Sequence, residues 1–205
     1  NGHPSVRNEG DETHASMERF WDIVLTWRLG VLDLPVMYGI ATDDAHNYHD
    51  EAIGKSNPGR GWVVVRSRYL TPEHLIRAME VGDFYASSGV VINAINHDTK
   101  GIELSIEQIS DEHYTTYFIG TRKDFDPAHE PYRAGNGDPV RVTHRYSDSI
   151  GTVLAKVEGI SPSYTYQGDE IYVRAKVVST KSMINPYKEG EVECAWIQPI
   201  VLNQN

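Results

Sequence analysis

Val36-Met37-Tyr38-Gly39-Ile40-Ala41-Thr42-Asp43-Asp44-Ala45-His46 is an apolar run of strand length that ends in an Asp-x-His pair. On a strand, residues i and i+2 point to the same side. This reading puts the Asp44 carboxylate and the His46 imidazole on one face at the end of a buried strand. That geometry suits two ligands of one metal site without completing it. The stretch is also dense in ligand types, with Asp43, Asp44, His46, His49 and Asp50 close together.

Working outward, the residues up to about 95 alternate helix and strand signals. Ser16 to Leu29 reads as a helix, with Phe20, Trp21, Val24, Leu25 and Arg28 on one stripe. Thr13 or Ser16 suits its N-cap, and Gly30 the C′ position. Val36–Ala41 is apolar on both alternating faces, as a buried parallel strand is. Residues 47–60 are polar and carry Gly54, Asn57, Pro58 and Gly59, a loop composition. Trp62–Ser67 reads as a second strand, and Thr71-Pro72-Glu73 opens a second helix that Gly82 ends. Phe84–Ile95 begins a third extended segment. Strand–helix alternation of this kind predicts a β/α layer or barrel.

From about residue 100 onward the signals are strands only. Ile102, Leu104 and Ile106 alternate with Glu103, Ser105 and Glu107, and Ile171, Val173, Ala175 and Val177 alternate with Tyr172, Arg174 and Lys176. Further strands are expected at Tyr114–Gly120, Val140–Tyr146, Gly151–Val157 and Ala195–Leu202. Period-two alternation predicts one buried and one wet face, as in an antiparallel β-sandwich. The expected class is therefore α+β. Residues 1–97 would form part of a β/α barrel and residues 98–205 a β-sandwich domain.

Composition bounds the function. The chain has 205 residues, 40% of them apolar, and a net charge of −10. An acidic surface without a basic stripe repels nucleic acid and anionic lipid, so neither is an expected partner. No apolar run approaches the roughly 18 residues of a spanning helix, and no membrane partner is expected. One cysteine, Cys194, excludes an internal disulfide framework and reads as a core thiol. It fits a bacterial cytoplasm and equally an exported protein without disulfides. The chain opens Asn1-Gly2-His3-Pro4 with its first methionine at Met17, so the natural protein is expected to extend upstream.

Gly39-Ile40-Ala41-Thr42-Asp43-Asp44-Ala45-His46 resembles the last metal-binding motif of the PHP (polymerase and histidinol phosphatase) superfamily of metal-dependent phosphoesterases. Asn1-Gly2-His3-Pro4 is similar to the segment after a late barrel strand. Arg60–Arg66 followed by Leu75–Gly89 is similar to the final strand and helix of that domain. The resemblance covers residues 1–95. It implies a distorted seven-stranded β/α barrel holding two or three ions of zinc, manganese or iron and hydrolysing phosphoesters of a phosphorylated small molecule. Asp44 and His46 take the positions of the motif ligands. The family's His-x-His belongs to the first barrel strand, and none of the nine histidines here forms that pattern. The resemblance thus implies the carboxy-terminal part of such a protein, incomplete as a catalyst by itself, with an appended β-domain.

Other side chains are weighed against ordinary structural uses. His3, His14, His49, Asp43 and Arg60 are candidate metal or phosphate contacts, Arg60 through its bidentate fork. Ser87, Ser88 and Gly89 offer donors but no triad pattern. His97, His113, His129 and His144 read as surface residues. Tyr164 and Tyr166 share a strand face, where cross-strand packing is the usual role and stacking on a sugar the functional one. The alternative to an enzyme part is a binding module whose sandwich recognises a glycan or a protein. A homo-oligomer through open barrel edges is the third expectation.

Overall fold

The computed structural model of the chain describes residues 1–109, 111–133 and 135–202. Helix α1 (Met17–Thr26) runs into a π turn at Trp27–Val31, and strand β1 (Trp62–Val65), helix α2 (Pro72–Glu80) and strand β2 (Phe84–Ser87) follow. The rest is strand: β3 (Ile92–His97), β4 (Gly101–Ile106), β5 (Tyr114–Arg122), β6 (His129–Arg133), β7 (Pro139–Tyr146), β8 (Thr152–Glu158), β9 (Ser163–Thr165), β10 (Glu170–Ser182) and β11 (Val192–Val201).

The caps that start the helices are the expected ones. The Ser16 hydroxyl accepts from the Arg19 amide, and Thr71 accepts from the His74 amide with Pro72 following it. Gly30 does not end α1. It lies inside the π turn, whose last bond runs from the Leu32 amide to the Trp27 carbonyl.

The strands assemble into a six-stranded sheet of order β1-β2-β11-β10-β5-β8, a three-stranded sheet β3-β4-β9 and the hairpin β6-β7. Every pair is antiparallel. The two larger sheets face each other across a core built from Tyr85, Ile102, Leu104, Phe118, Val173, Val177 and Ile197 with their neighbours. Burying side chains of this size is worth about 1.5–3 kcal/mol each before entropy is counted. The alternation legible at Ile102–Ile106 and Ile171–Val177 supplies this interior.

The expected β/α barrel is absent among the described residues, and the α+β class is corrected to an antiparallel β-sandwich with two short helices. Two observations overturn it. Val36–Ala41 forms no strand and belongs to no sheet. Strands β1 and β2, joined through α2, pair antiparallel instead of parallel, with Trp62 opposite Ser87 and Val65 opposite Phe84. The physical cause is the tight return of the chain. The Asp83 amide bonds to the Ala78 carbonyl, Gly82 sits at φ 78°, and the Arg66 amide reaches the Asp83 carbonyl, continuing the β1–β2 ladder. β1 and β2 join the sheet formed by β5, β8, β10 and β11, so strands from both sides of residue 97 share one sheet.

The face of β10 expected to be wet is also covered. Helix α1 lies over it, and Tyr172 and Arg174 are 0% and 1% exposed. Arg174 Nε and Nη2 donate to the two oxygens of Asp22 at 2.7 and 2.6 Å, and the Tyr172 hydroxyl donates to the same carboxylate at 2.8 Å. Burial pushes the Arg174 pKa down and Asp22 more than reverses it, so the guanidinium sits above its ordinary value. Among the described residues no helix is long and apolar enough to cross a membrane.

Candidate metal centre

Val36–Ala41 is held by side chains where a strand would be held by its neighbours. The Gly39 amide donates to Gln198 Oε1 at 2.9 Å, and Gln198 Nε2 returns a bond to the Gly39 carbonyl at 2.7 Å. One primary amide thus stands in for a partner strand. Trp21 lies flat against the same glycine, where an added Cβ would meet the ring at 2.8 Å, and its indole N–H reaches the Met37 carbonyl.

This tether delivers residues 42–46 to the surface. Asp44 and His46 do not lie on a strand face. Asp44 is in the left-handed region at φ 52°, and the local turn brings His46 Nδ1 to 3.8 Å from Asp44 Oδ1. The same nitrogen lies 2.8 Å from the Asp44 carbonyl oxygen. A carbonyl only accepts, so Nδ1 carries the proton and Nε2 the lone pair. The His46 side chain is 68% exposed, which leaves Nε2 accessible. A ring nitrogen oriented by a carbonyl, with the other nitrogen free, is the usual arrangement of a metal-binding histidine.

His3 joins this pair, because the Gly2 amide bonds to the Thr42 carbonyl. The two imidazoles meet edge to face at 6.0 Å. His3 Nδ1 accepts from the Ser5 amide, so its Nε2 carries a proton and is a donor. In this state His3 suits an anion contact and not a cation ligand.

Three of the remaining candidates, Asp43, Arg60 and His14, are spent elsewhere. The Asp43 carboxylate accepts from the amides of Gly59, Arg60 and Gly61 at 2.7–2.8 Å, closing the loop. Arg60 is 3% exposed. Its N–H groups go to the carbonyls of Gly2, Ala52, Lys55 and Asn185 and to the side chains of Asn57 and Asn185. With its donors occupied and the group buried, it has no fork to offer a phosphate. The expectation of an Arg60 phosphate contact is corrected to a structural hub. Burial pulls its pKa below the ordinary value, with Glu191, Asp43 and Glu51 opposing. His14 is committed to Asp11 at 2.8 Å. His49 is exposed in the loop that follows.

Ser87 and Ser88 serve the turn after β2, donating to the carbonyls of Val90 and Cys194. Tyr164 is buried against Phe118 and donates to Glu170, so it offers no stacking face to a sugar. Burial raises the Cys194 thiol to about 11, in keeping with a core role.

Among the described residues no group of three or more His, Cys, Asp or Glu side chains is placed to hold a metal ion. The donor set therefore fits one corner of a metal site: His46 Nε2, with the Asp44 carboxylate on the opposite edge of the ring. Sequence reasoning missed the hub made by Arg60 and the fully buried Asn57, since a Gly-rich polar loop reads as solvated. Comparison with family models, with curated proteins and with solved structures found no match.

Proposed function

We propose that this chain is the carboxy-terminal part of a PHP-type metal-dependent phosphoesterase. In this reading His46 supplies Nε2 as one ligand of a divalent zinc, manganese or iron site, Asp44 sets the ring from its Nδ1 edge, and the other ligands come from further upstream in the same polypeptide. The observation that carries the reading is His46: its Nδ1 is fixed on a carbonyl, and its Nε2 is free and accessible. Bound metal in such a site polarises phosphoryl oxygen and lowers the pKa of water. The part of this chain is to orient the imidazole through the Asp44 carbonyl and to present His3 Nε2–H as a donor to a phosphate oxygen.

Surface chemistry supports the same reading. Among the described residues, fifteen of the twenty exposed large apolar side chains lie between Met17 and Val81, including Phe20, Leu32, Ile40, Leu70 and Ile76. β1, all apolar, pairs on one side only. An apolar surface and an open strand edge of this kind call for covering elements.

The test uses the reading frame extended upstream. Its product is expected to carry metal and to hydrolyse a phosphate monoester or diester. His46→Ala should lower both metal content and kcat/KM, the latter by about 100-fold or more. Full metal occupancy and full activity in His46→Ala would overturn the assignment. If instead a second copy of the chain covers the β1 edge, sizing chromatography of the 205-residue chain reads a doubled mass.

A further inference from the structure

We propose a second, separate cation site on the β6–β7 hairpin, formed by His129 and His144 and suited to a borderline divalent transition-metal ion. The register pairs His129 with Tyr146 and Pro131 with His144. His129 and His144 are therefore diagonal neighbours on one face of the hairpin. Their Nδ1 atoms lie 2.8 Å apart, with ring centroids at 4.9 Å. In the neutral pair one Nδ1 donates and the other accepts.

Three features make this pair a site and not merely a contact. Two nitrogens at this distance match adjacent ligands of one ion, since bonds of ~2.0 Å at right angles separate their donors by about 2.8 Å. Both rings are braced from the protein side. Trp27 meets His129 edge-on at 5.6 Å, and the Tyr146 ring lies 5.3 Å from His129 and 6.3 Å from His144. Arg19 fastens the end of the hairpin by donating to the Ser147 carbonyl at 2.5 Å and to the Ile150 carbonyl. Finally, both histidines are exposed, so ion and water have access. In a chain of net charge −10 the approach of a cation is favoured.

Binding balances without a net proton. The hydrogen on the donating Nδ1 is lost to water and the same ring takes one up at Nε2. Two Nδ1 lone pairs then face the ion, with water completing its shell. Imidazole donors without carboxylate select copper, nickel or zinc over magnesium or calcium, with Cu(II) tightest.

Calorimetric titration of the 205-residue chain with Cu(II) and with Zn(II) at pH 7.5 tests this, in a His46→Gln background that silences the other candidate. One ion per chain is expected, Cu(II) tighter than Zn(II). At least a tenfold loss of affinity is expected in His129→Gln and in His144→Gln. His97→Gln, an exposed histidine on β3, should leave binding unchanged. Circular dichroism melts identify any variant that has lost its fold. Should a variant do so, the alkylation rate of His129 and His144 in the unsubstituted protein, slowed by Zn(II), is the second readout. Equal affinity in all variants, a Kd above ~1 mM, or loss of binding in His97→Gln overturns the proposal. Failure here leaves His46 untouched, and failure at His46 leaves this site standing.

Discussion

In residues 84–202 the backbone groups pair along the ladders of three sheets, and apolar side chains fill the space between the two larger ones. Between Pro35 and Gly61 the chain joins no sheet, and much of its backbone is satisfied by a few polar side chains: Gln198, Asn57, Arg60 and Asp43. A ladder spreads its free energy over many small bonds. A hub concentrates it, so one substitution frees several backbone groups at once. The joint between α1 and the six-stranded sheet is different again, a buried ion pair between Asp22 and Arg174 of β10.

Breaking the joint should cost most. Asp22→Ala leaves Arg174 buried beneath α1 without its two hydrogen-bonded carboxylate oxygens, the nearest carboxylate then being Glu18 at 3.9 Å. Stranding a buried charge typically costs about 3–5 kcal/mol. Urea denaturation followed by tryptophan fluorescence should show the whole transition moving to lower denaturant. A midpoint within error of the unsubstituted protein would mean that α1 is not part of the cooperative unit.

Arg60→Met comes next and sharpens the contrast. It removes the donors that gather Gly2, Ala52, Lys55 and Asn185. Those carbonyls can turn to water once the loop opens, so the expected cost is local, about 1–3 kcal/mol. Limited proteolysis should become faster within residues 44–60 while the melt of the sheets barely moves. Global unfolding in step with cleavage would abolish the distinction between the two regions.

The smallest effect concerns pH within the sandwich. Burial pushes the Glu170 carboxyl up, but the Gln167 and Gly168 amides and the Tyr164 hydroxyl reverse this, and its pKa lies below the ordinary value. A depressed carboxylate contributes stability above its unfolded pKa of about 4.3 and loses it as pH falls through the folded value. Glu170→Gln should therefore flatten the acid limb of the stability–pH curve below about pH 4. An unchanged acid limb would remove Glu170 from the acid response.

Periodicity made the sandwich legible. Ile102-Glu103-Leu104-Ser105-Ile106 states its inner face directly, and Ser16 and Thr71 mark helix starts because capping is chemistry between near neighbours. The opposite face of β10 was not legible. Tyr172 and Arg174 look solvated until Asp22, 150 and 152 residues away, is brought over them. Val36–Ala41 misled for the complementary reason. Its apolar character fits a buried strand, but a strand is defined by neighbours, and the described residues supply the Gln198 amide and the Trp21 indole N–H in their place. At Asp44 and His46 the residue types were readable, and the left-handed turn that orients the ring was not.

The Arg60 hub also bears on the order of events as the chain folds. Its bonds reach 58 residues back to Gly2 and 125 forward to Asn185, in the connection between β10 and β11. The Asn185 bonds need the β10–β11 connection in place, so they are expected to form after those two strands pair. Interactions absent from the folding barrier act mainly on the rate of escape from the native state. The loop bearing Asp44 and His46 is in this sense latched last, and the latch governs how long it stays shut.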